Sequence, residues 1–487
     1  MAFGPEPLMH SHEHAFTSFN PRQREGLLHL DRRGMMKASM AGLAGLSLPA
    51  LLQERAHAAA TGRAMADRKS VILLWMTGGP SHIDTWDPKP ERPFNNRGPF
   101  GVIQTAQPGV FICDRLPKQA AMFDKFTLMR SVNAHKSNHE PNMAFQTGHR
   151  EAAPRRNKDG RMYPAIGSFI SKHHGSNDPG MPAYVAFRKH HWHTAVGGWL
   201  GKQYDPFIAN QASRLPVYDN VGNDTGRVSG ADLFQFPEGI SVGRVNNRKQ
   251  LVQRFDRLRR DIDQRGSLDA VDTYRAKAVD MLLGRKARDA FDLSREDQAT
   301  TKKYGKHLWC QQALLARRLV EAGSSFVTLD LSYHSASGTW DTHGIPGGVY
   351  GGISKGLGKL LPLFDHLLTT LVTDLEEREL LDDTLVIAMG EFGRTPNMGT
   401  QGSVDGRNHW PVVMSMCMAG GGLNHNQTIG STVSDGSHLK DRPILPGDVA
   451  ATIYRHMDVP LDSQYVDPRG RPRFMLEDGG EPIAELF

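Results

Sequence analysis

The sequence predicts an α/β fold built around a mostly parallel β-sheet. Short apolar runs rich in β-branched residues have the composition of buried strands, as in Ser70–Met76 and Thr384–Met389. A strand at Ser325–Leu331 is followed by a long predicted helix, about 354–378, and then by the Thr384 strand. Because such a crossover joins parallel strands through a right-handed connection, these two strands should run in the same direction.

The other elements follow from the same local signals, taken in chain order. Further strands are predicted at Phe126–Val132, Ala183–Phe187 and Pro411–Ala419. Helices are predicted at Asp114–Phe123, Pro141–Thr147, Ile166–Lys172, Tyr304–Ala322 and Gly447–Met457. A charged helical pair is expected between 246 and about 299, where apolar residues recur at helical spacing. We expect this inserted pair to act as scaffolding.

Composition excludes two classes of protein. The net charge of +6 is modest for 487 residues and no long Lys/Arg run is present, so nucleic-acid binding is not expected. The three cysteines, Cys113, Cys310 and Cys417, are far apart and odd in number. They therefore form neither a disulfide framework nor a Cys-x-x-Cys metal site, and buried positions are expected for them.

The N-terminal region has the layout of an export signal. Arg32, Arg33 and Lys37 precede an apolar run of small residues, 38–52, and an Ala-rich segment at 56–60 resembles a cleavage region. The paired arginines indicate the twin-arginine type. An amphipathic N-terminal helix is the alternative. With 1–60 removed, no apolar span remains, so the mature protein is expected without a membrane span, in the periplasm or outside the cell.

Polar side chains follow four of the predicted strands. Thr384–Met389 leads into a glycine-rich loop with Glu391, Arg394 and His409. The same loop carries Arg407, and equivalent loops carry the remaining polar candidates: His82, Asp84, Asn138, His139, Asp341 and His343. In open α/β sheets, ligands bind outside the carboxyl ends of the strands, so we expect these loops to meet at one sheet edge. A surface loop with a Glu391–Arg394 salt bridge is the alternative for that loop alone.

Imidazole and carboxylate groups in these loops form the ligand set of Zn²⁺, Mn²⁺ or Fe. A divalent metal held there could polarise an ester oxygen and activate water. Arg394 and Arg407 could bind a phosphate or sulfate group. A metal-free mechanism is also open, in which His139 or His409 is the general base and Asp341 or Glu391 orients it.

The basic run Arg188–His193 stands apart from these loops because it holds three histidines within four residues. On a strand, His191 and His193 would face one side and His190 the other. This arrangement favours a solvated basic patch over a metal site. The patch could also line the mouth of the cleft and contact an anionic substrate.

Four motifs in order resemble an uncharacterised bacterial family of unknown function. They are GGPSHIDTWDPKP, RSVNAHKSNHEPNMAFQTGHR, WDTHGI and EFGRTPNMG with GRNHWP. Members of this family often carry twin-arginine signals and are grouped with the alkaline phosphatase/sulfatase superfamily. The resemblance implies a three-layer α/β/α sandwich with a mostly parallel central sheet, as a single domain over residues 61–487 with a helical insertion at 245–300.

The same resemblance implies site positions. The run Gln146–Arg150 is similar to the end of the sulfatase nucleophile motif, which places Asn138 or His139 near the nucleophile. His409 falls where the superfamily's last histidine is expected. The set carried forward is catalytic His139, Asn138 and Arg394; metal-binding Asp341, His343, Glu391 and His409; and substrate-binding His82, Asp84 and Arg407.

Together these observations predict an exported hydrolase of phosphate or sulfate esters, with an anionic small molecule or glycan as substrate. The alternative is a non-catalytic binder of anionic extracellular ligands, which would use Arg394, Arg407 and the patch at 190–193. A purely structural envelope protein is the third hypothesis. Convergence of the loop side chains distinguishes the first hypothesis from the others.

Overall fold

The core of the protein is an eight-stranded sheet with helices on both faces. The computed structural model describes residues 68–134, 139, 142–210, 285–333, 338–345, 351–400, 402–467, 469–476 and 479–487, and the backbone of 215–220 and 223–229. Residues 66–487 form one compact unit. The predicted signal at 1–60, Asn138 and most of the predicted helical insertion, 245–284, lie outside the described residues.

The central sheet has the strand order β14-β4-β13-β10-β1-β9-β5-β6. Its strands are β1 (Ser70–Trp75), β4 (Phe126–Val132), β5 (Tyr184–Phe187), β6 (Phe207–Ile208), β9 (Phe326–Asp330), β10 (Thr384–Met389), β13 (Met414–Gly420) and β14 (Gln427–Ile429). Among these strands only β13 is antiparallel to its neighbours. The strands β9 and β10 lie on either side of β1 and run parallel to it, which confirms the predicted parallel arrangement.

Short hairpins lie outside this sheet. They pair β2 (Val102–Gln104) with β3 (Phe111–Cys113), β7 (Leu215–Asn220) with β8 (Asn223–Ser229), β11 (Gly393–Arg394) with β12 (His409–Trp410), β15 (Ser431–Thr432) with β16 (Leu439–Asp441), and β17 (Gln464–Val466) with β18 (Pro472–Phe474). The β11–β12 pair brings Arg394 opposite His409. Two loop residues of the candidate site are therefore fixed by a backbone ladder.

The helices in the described part of the chain are α1 (Phe94–Arg97), α2 (Pro117–Ala121), α3 (Asn142–Thr147), α4 (Ile166–His173), α5 (Arg285–Phe291), α6 (Gln298–Tyr304), α7 (Leu308–Ala322), α8 (Gly358–Glu377) and α9 (Pro446–His456). A π-helical turn at Ile353–Leu357 precedes α8. None of these helices is both long enough and apolar enough to cross a membrane.

Each face of the sheet is covered by a helical layer. Val71, Leu73 and Trp75 point into a hydrophobic cluster that includes Phe169 of α4 and Ile453 of α9. The alternate residues of β1 must face the other side, where α7 contacts β1 and β9. The predicted three-layer α/β/α sandwich with a mostly parallel sheet is thus confirmed.

Several predicted boundaries differ from the structure for local reasons. The helix expected at Tyr304–Ala322 begins only at Leu308, because Gly305, with a φ of 87°, ends α6 at Tyr304 and His307 caps α7 through its ring nitrogen. The strand expected from Pro411 begins at Met414. The run His191–His193 is a 3₁₀ turn and not a strand. All three cysteines are buried, as predicted.

Buried His456 makes the stability of this fold dependent on pH. Its Nε2 lies 3.0 Å from the carbonyl oxygen of Ser70, which joins the end of α9 to the start of β1. Burial lowers the pKa of His456 from 6.5 to about 4, although the bond to Ser70 opposes that change. The folded protein therefore holds this imidazole neutral, whereas the unfolded chain takes up a proton at higher pH.

We expect the free energy of unfolding to fall by about 3 kcal/mol through this residue as the pH drops from 6.5 to 4. Chemical denaturation at several pH values measures the loss. His456→Gln should reduce the slope in this interval, because glutamine does not titrate. His438→Gln, at an exposed position, serves as the control. An unchanged slope in His456→Gln would show that other groups cause the acid sensitivity.

Candidate functional site

Four loops meet at the carboxyl edge of the sheet. They follow β1, β4, β9 and β10, which all run in one direction. The β1 loop packs tightly on the β9 loop: a Cβ at Gly78, whose φ is +118°, would lie 2.2 Å from the backbone nitrogen of Asp341. Only glycine allows this approach. The predicted convergence of the strand-exit loops is therefore what the structure shows.

Asp341 lies at the centre of the site and is contacted by three histidines. Its Oδ2 is 3.1 Å from Nε2 of His139, and its Oδ1 is 3.0 Å from Nε2 of His343 and 3.4 Å from Nε2 of His409. The Nε2 atoms of His343 and His409 are 2.9 Å apart. The three imidazoles thus direct the same ring nitrogen towards one carboxylate.

Burial and charge act in opposite directions on these groups. Burial would raise the pKa of Asp341, but the Arg394 charge and the three histidines hold it far below its usual range. Burial would lower the pKa of His139, but Asp341 and Glu391 raise it above its ordinary value. For His409, burial dominates and lowers the pKa to about 4, against the effect of Asp341.

These four residues could hold a metal ion. One ligand atom from each of His139, Asp341, His343 and His409 lies within 4.8 Å of the others. A tetrahedral Zn²⁺ site with bonds of about 2.1 Å has ligand–ligand edges of about 3.4 Å, close to the separations around Asp341. Three imidazoles and one carboxylate suit Zn²⁺, Mn²⁺ or Fe better than Mg²⁺ or Ca²⁺. The residues present therefore fit a single such ion.

Glu391, predicted as a metal ligand, is not part of the cluster and lies behind His139 instead. Its Oε1 is 3.0 Å from Nδ1 of His139 and accepts a hydrogen bond of 2.8 Å from the backbone N–H of Gly78. His139 takes the place in the cluster that was expected for Glu391. A carboxylate on the far nitrogen of a ligating histidine fixes its tautomer and orientation, which is the usual arrangement around protein-bound metals.

We expect Glu391→Gln to weaken metal affinity about 10- to 100-fold, because the neutral amide no longer orients and polarises His139. Competition with a chromophoric chelator measures this affinity. Glu376→Gln is the matched control, since Glu376 pairs with Lys125 in an exposed contact away from the cluster. Equal affinity in the Glu391 and Glu376 variants would contradict the supporting role of Glu391.

Arg394 is buried and all its contacts are within the chain. Its Nη2 is 2.6 Å from Asp341 Oδ1 and also bonds the carbonyl oxygen of Gly78. Its Nε donates to the carbonyl oxygen of Gly79 at 2.9 Å, and its Nη1 to that of Arg407 at 3.3 Å. Arg394 therefore positions the loops and Asp341. A second cation beside Asp341 Oδ1 would meet this fixed positive charge, so the site suits one metal per chain.

Asp84 and Arg407, predicted to bind substrate, bind each other. Nε of Arg407 donates to Asp84 Oδ2 at 2.6 Å, and its Nη2 lies 3.3 Å from Asp84 Oδ1. The same guanidinium donates to the carbonyl oxygens of Asn96 and Thr395. Both side chains are fully buried. They connect the β1 loop to the β10 loop and present no free group to a ligand.

His82 is also internal. Its Nε2 lies 2.8 Å from the carbonyl oxygen of Gly436, and burial lowers its pKa to about 4. A neutral imidazole sealed in this way packs the loop after β1. The three residues predicted to bind substrate therefore shape the loops around the cluster.

Asp330 belongs to the same sheet edge and was not predicted, and His193, predicted only as part of the basic patch, is buried beside it. Asp330 ends β9 and accepts a hydrogen bond of 2.5 Å from the hydroxyl of Thr77. Its other oxygen lies 2.7 Å from Nδ1 of His193, which is buried. Asp330 is the last residue of the run SFVTLD. An acidic residue at the carboxyl end of a predicted strand was the sequence signal that could have identified it.

Comparison with known protein families finds a match over most of the chain. A family model described as "Protein of unknown function (DUF1501)" matches residues 68–487. A search of curated proteins gave no match.

Several solved structures are similar to this chain at low sequence identity. Ps i-CgsB in complex with k-i-k-neocarrahexaose is 11% identical with a TM-score of 0.40, and the match covers 85% of this chain and 75% of that chain. The PsFucS1 sulfatase from Pseudoalteromonas sp. is 11% identical, with a TM-score of 0.36 and coverage of 85% and 72%. The phosphonate monoester hydrolase of Agrobacterium radiobacter is 12% identical, with a TM-score of 0.33 and coverage of 86% and 77%. Values this low transfer neither an activity nor a substrate to this chain.

Proposed function

This chain belongs to the family described as protein of unknown function (DUF1501), and we propose that it is a metal-dependent hydrolase of phosphate or sulfate esters. The observation that supports this proposal is the cluster of His139, Asp341, His343 and His409 at the carboxyl edge of the sheet. Three convergent imidazoles around one carboxylate are well suited to hold a transition-metal ion.

The residues of the cluster have separable tasks. The three histidines would bind the ion through Nε2 and Asp341 through one carboxylate oxygen. Glu391 holds the Nδ1 side of His139, and Arg394 holds Asp341 in place. When bound, the metal would polarise an ester oxygen and lower the pKa of a water molecule.

Exposure indicates the direction from which a substrate enters. The side chains of His409 and His139 are 26% and 16% exposed, whereas those of Asp341 and His343 are nearly closed to solvent. The reacting group would therefore approach over His409 and His139. Asp341 and His343 form the closed side of the site, which excludes bulk water from the Arg394 contact.

The charges of the site favour an anionic ester. With a divalent ion and neutral histidines, the two carboxylates Asp341 and Glu391 offset only part of the positive charge contributed by the metal and Arg394. The excess positive charge attracts a phosphate or sulfate group. The family that the four sequence motifs resemble is grouped with the alkaline phosphatase/sulfatase superfamily, which supports the same substrate class.

The test is metal analysis of the full chain together with hydrolysis of p-nitrophenyl phosphate and p-nitrophenyl sulfate. We expect about one Zn, Mn or Fe per chain and cleavage of at least one ester that stops after chelation and returns with metal. Absence of both metal and cleavage would refute the hydrolase. Metal without cleavage would leave a non-catalytic binder, although Arg394 and Arg407 are buried and cannot be its anion-binding groups.

We also propose that the protein is exported by the twin-arginine route. The support is the pair Arg32 and Arg33 before the apolar run in the sequence. Fractionation of cells expressing the full chain should find it outside the cytoplasm, and Arg32→Lys/Arg33→Lys should retain it inside. Equal distribution of the two proteins would count against this route.

A further inference from the structure

The segment Arg188–His193 leaves β5 at the same edge of the sheet as the metal-binding cluster. Asp330, the last residue of β9, anchors it twice. The Asp330 Oδ2 accepts a hydrogen bond of 2.8 Å from the backbone N–H of Lys189 and lies 2.7 Å from Nδ1 of His193. In addition, the amide N–H of Arg188 donates to Asn210 Oδ1 at 2.8 Å. The backbone of this segment is therefore fixed at both ends.

Three side chains of this segment point the other way, towards solvent. Lys189, His191 and Trp192 are exposed, with Trp192 46% exposed. The guanidinium carbon of Arg161 lies 3.2 Å from the centre of the Trp192 ring. We call the basic rim the set formed by these residues and their neighbours: Arg161, Arg188, Lys189, His190, His191 and Trp192.

The charges of Arg188 and Lys189 in the basic rim are not offset by any described carboxylate. Among the residues that the structure describes, no carboxylate forms an ion pair with Arg188 or Lys189. The carboxylate of Asp330 is buried under the segment, where it bonds His193 and Thr77. An exposed indole beside several cationic groups is unusual on a protein surface and favours a ligand with both anionic groups and apolar surface.

The strand order places the basic rim and the cluster along one edge of the sheet, where an extended ligand can reach both. In the sheet, β9 separates β5 from β1, and β10 follows β1. At about 4.8 Å per strand, β5 is about 10 Å from β1 and about 14 Å from β10. The exits of β5 and β10 are thus far enough apart at this edge for an extended polyanion to span them.

We propose that the basic rim binds the chain of an anionic polysaccharide whose ester group is cleaved at the cluster. This inference rests on the proposed function for the cleavage step. Lys189 and the arginines bind the acidic groups of the polysaccharide, and Trp192 packs against the C–H face of a sugar ring. The lack of a long Lys/Arg run in the sequence makes nucleic acid the less favoured polyanion.

The experiment measures binding of dextran sulfate, with neutral dextran as the uncharged probe. The variant is Lys189→Ala/Trp192→Ala. Its matched control is Lys440→Ala/Phe474→Ala, which removes one exposed lysine and one exposed aromatic residue from β16 and β18. We expect wild type and control to bind dextran sulfate equally, the rim variant at least 10-fold more weakly, and none of them to bind neutral dextran.

Two further measurements separate this inference from the proposed function. Metal content and the rate on p-nitrophenyl sulfate or phosphate should be unchanged in the rim variant, since neither residue touches the cluster. A protein without metal or esterase activity that still binds dextran sulfate through the basic rim would refute the hydrolase and support the rim. Equal binding by the rim variant and the control would overturn the inference, and so would tighter binding of poly(U) RNA than of dextran sulfate.

Discussion

A chain that carries His409→Ala is expected to lose its bound metal and to cleave phosphate and sulfate esters more than 100-fold more slowly than wild type. Loss of an outer partner of a metal ligand already costs about 10- to 100-fold, and loss of a ligand should cost more. Nε2 of His409 lies 2.9 Å from that of His343 and 3.4 Å from Asp341, so no other described residue can replace it without moving a loop.

The matched control for this substitution is His425→Ala. Both histidines are partly buried, but His425 bonds the carbonyl oxygen of Gly420 at 2.8 Å and the hydroxyl of Thr127 at 3.0 Å, away from the cluster. Elemental analysis and ester hydrolysis are measured on both proteins after identical purification. The metal site is refuted if His409→Ala retains the metal content of His425→Ala.

The same comparison decides between the metal and the metal-free mechanism. If His409 were only a general base beside Asp341, its loss would reduce the rate and leave wild-type metal content unchanged, whether that content is one ion or none. If it is a ligand, metal content and rate fall together, and added metal partly restores both. Circular dichroism of the two variants confirms that each remains folded.

Substitution of Arg407 by alanine is expected to destabilise the fold by about 3–5 kcal/mol, because it leaves the buried carboxylate of Asp84 without its partner. Arg407 also donates to backbone carbonyl oxygens of the β1 and β10 loops, which would lose those bonds. Urea denaturation of the full chain measures the free energy of unfolding. Asp84→Asn/Arg407→Met removes both charges and should be less destabilised than the single variant.

The exposed pair Arg442–Glu485 provides the control for this prediction. Its Nε–Oε1 distance is 2.6 Å, the same as in the buried pair, but its side chains are 38% and 37% exposed. Glu485→Ala should therefore cost less than about 1 kcal/mol. If Arg407→Ala is as stable as Glu485→Ala yet loses substrate affinity, the substrate-binding role predicted from sequence is correct and the structural role is wrong.

The local sequence pattern was sufficient to predict the main strands of the sheet. The runs at Ser70–Met76, Phe126–Val132 and Thr384–Met389 match β1, β4 and β10 to within one residue. Burial of a strand requires a continuous apolar run, and that requirement is visible within six or seven residues. The parallel direction of β9 and β10 followed from the helix between them, which also placed Asp341 and His409 at one edge.

The roles of individual side chains at that edge depend on contacts that no local pattern contains. Arg394 bonds Gly78, 316 positions away, and Arg407 bonds Asp84, 323 positions away. In the sequence both arginines stand in a polar, glycine-rich loop that is typical of exposed ligand-binding segments. Only when the loops pack together does each guanidinium find carboxylate and carbonyl partners that exclude it from solvent.

The sequence predicted Glu391 as a metal ligand, whereas the structure places His139 in the cluster, and the cause is the same. Both follow strands at the correct edge, and either residue type can ligate a metal. The backbone N–H of Gly78 holds the Glu391 carboxylate one contact away, beside Nδ1 of His139, and leaves Nε2 of His139 facing Asp341. Strand positions are set by local periodicity, whereas a ligand set is a matter of side-chain direction among loops that are hundreds of residues apart.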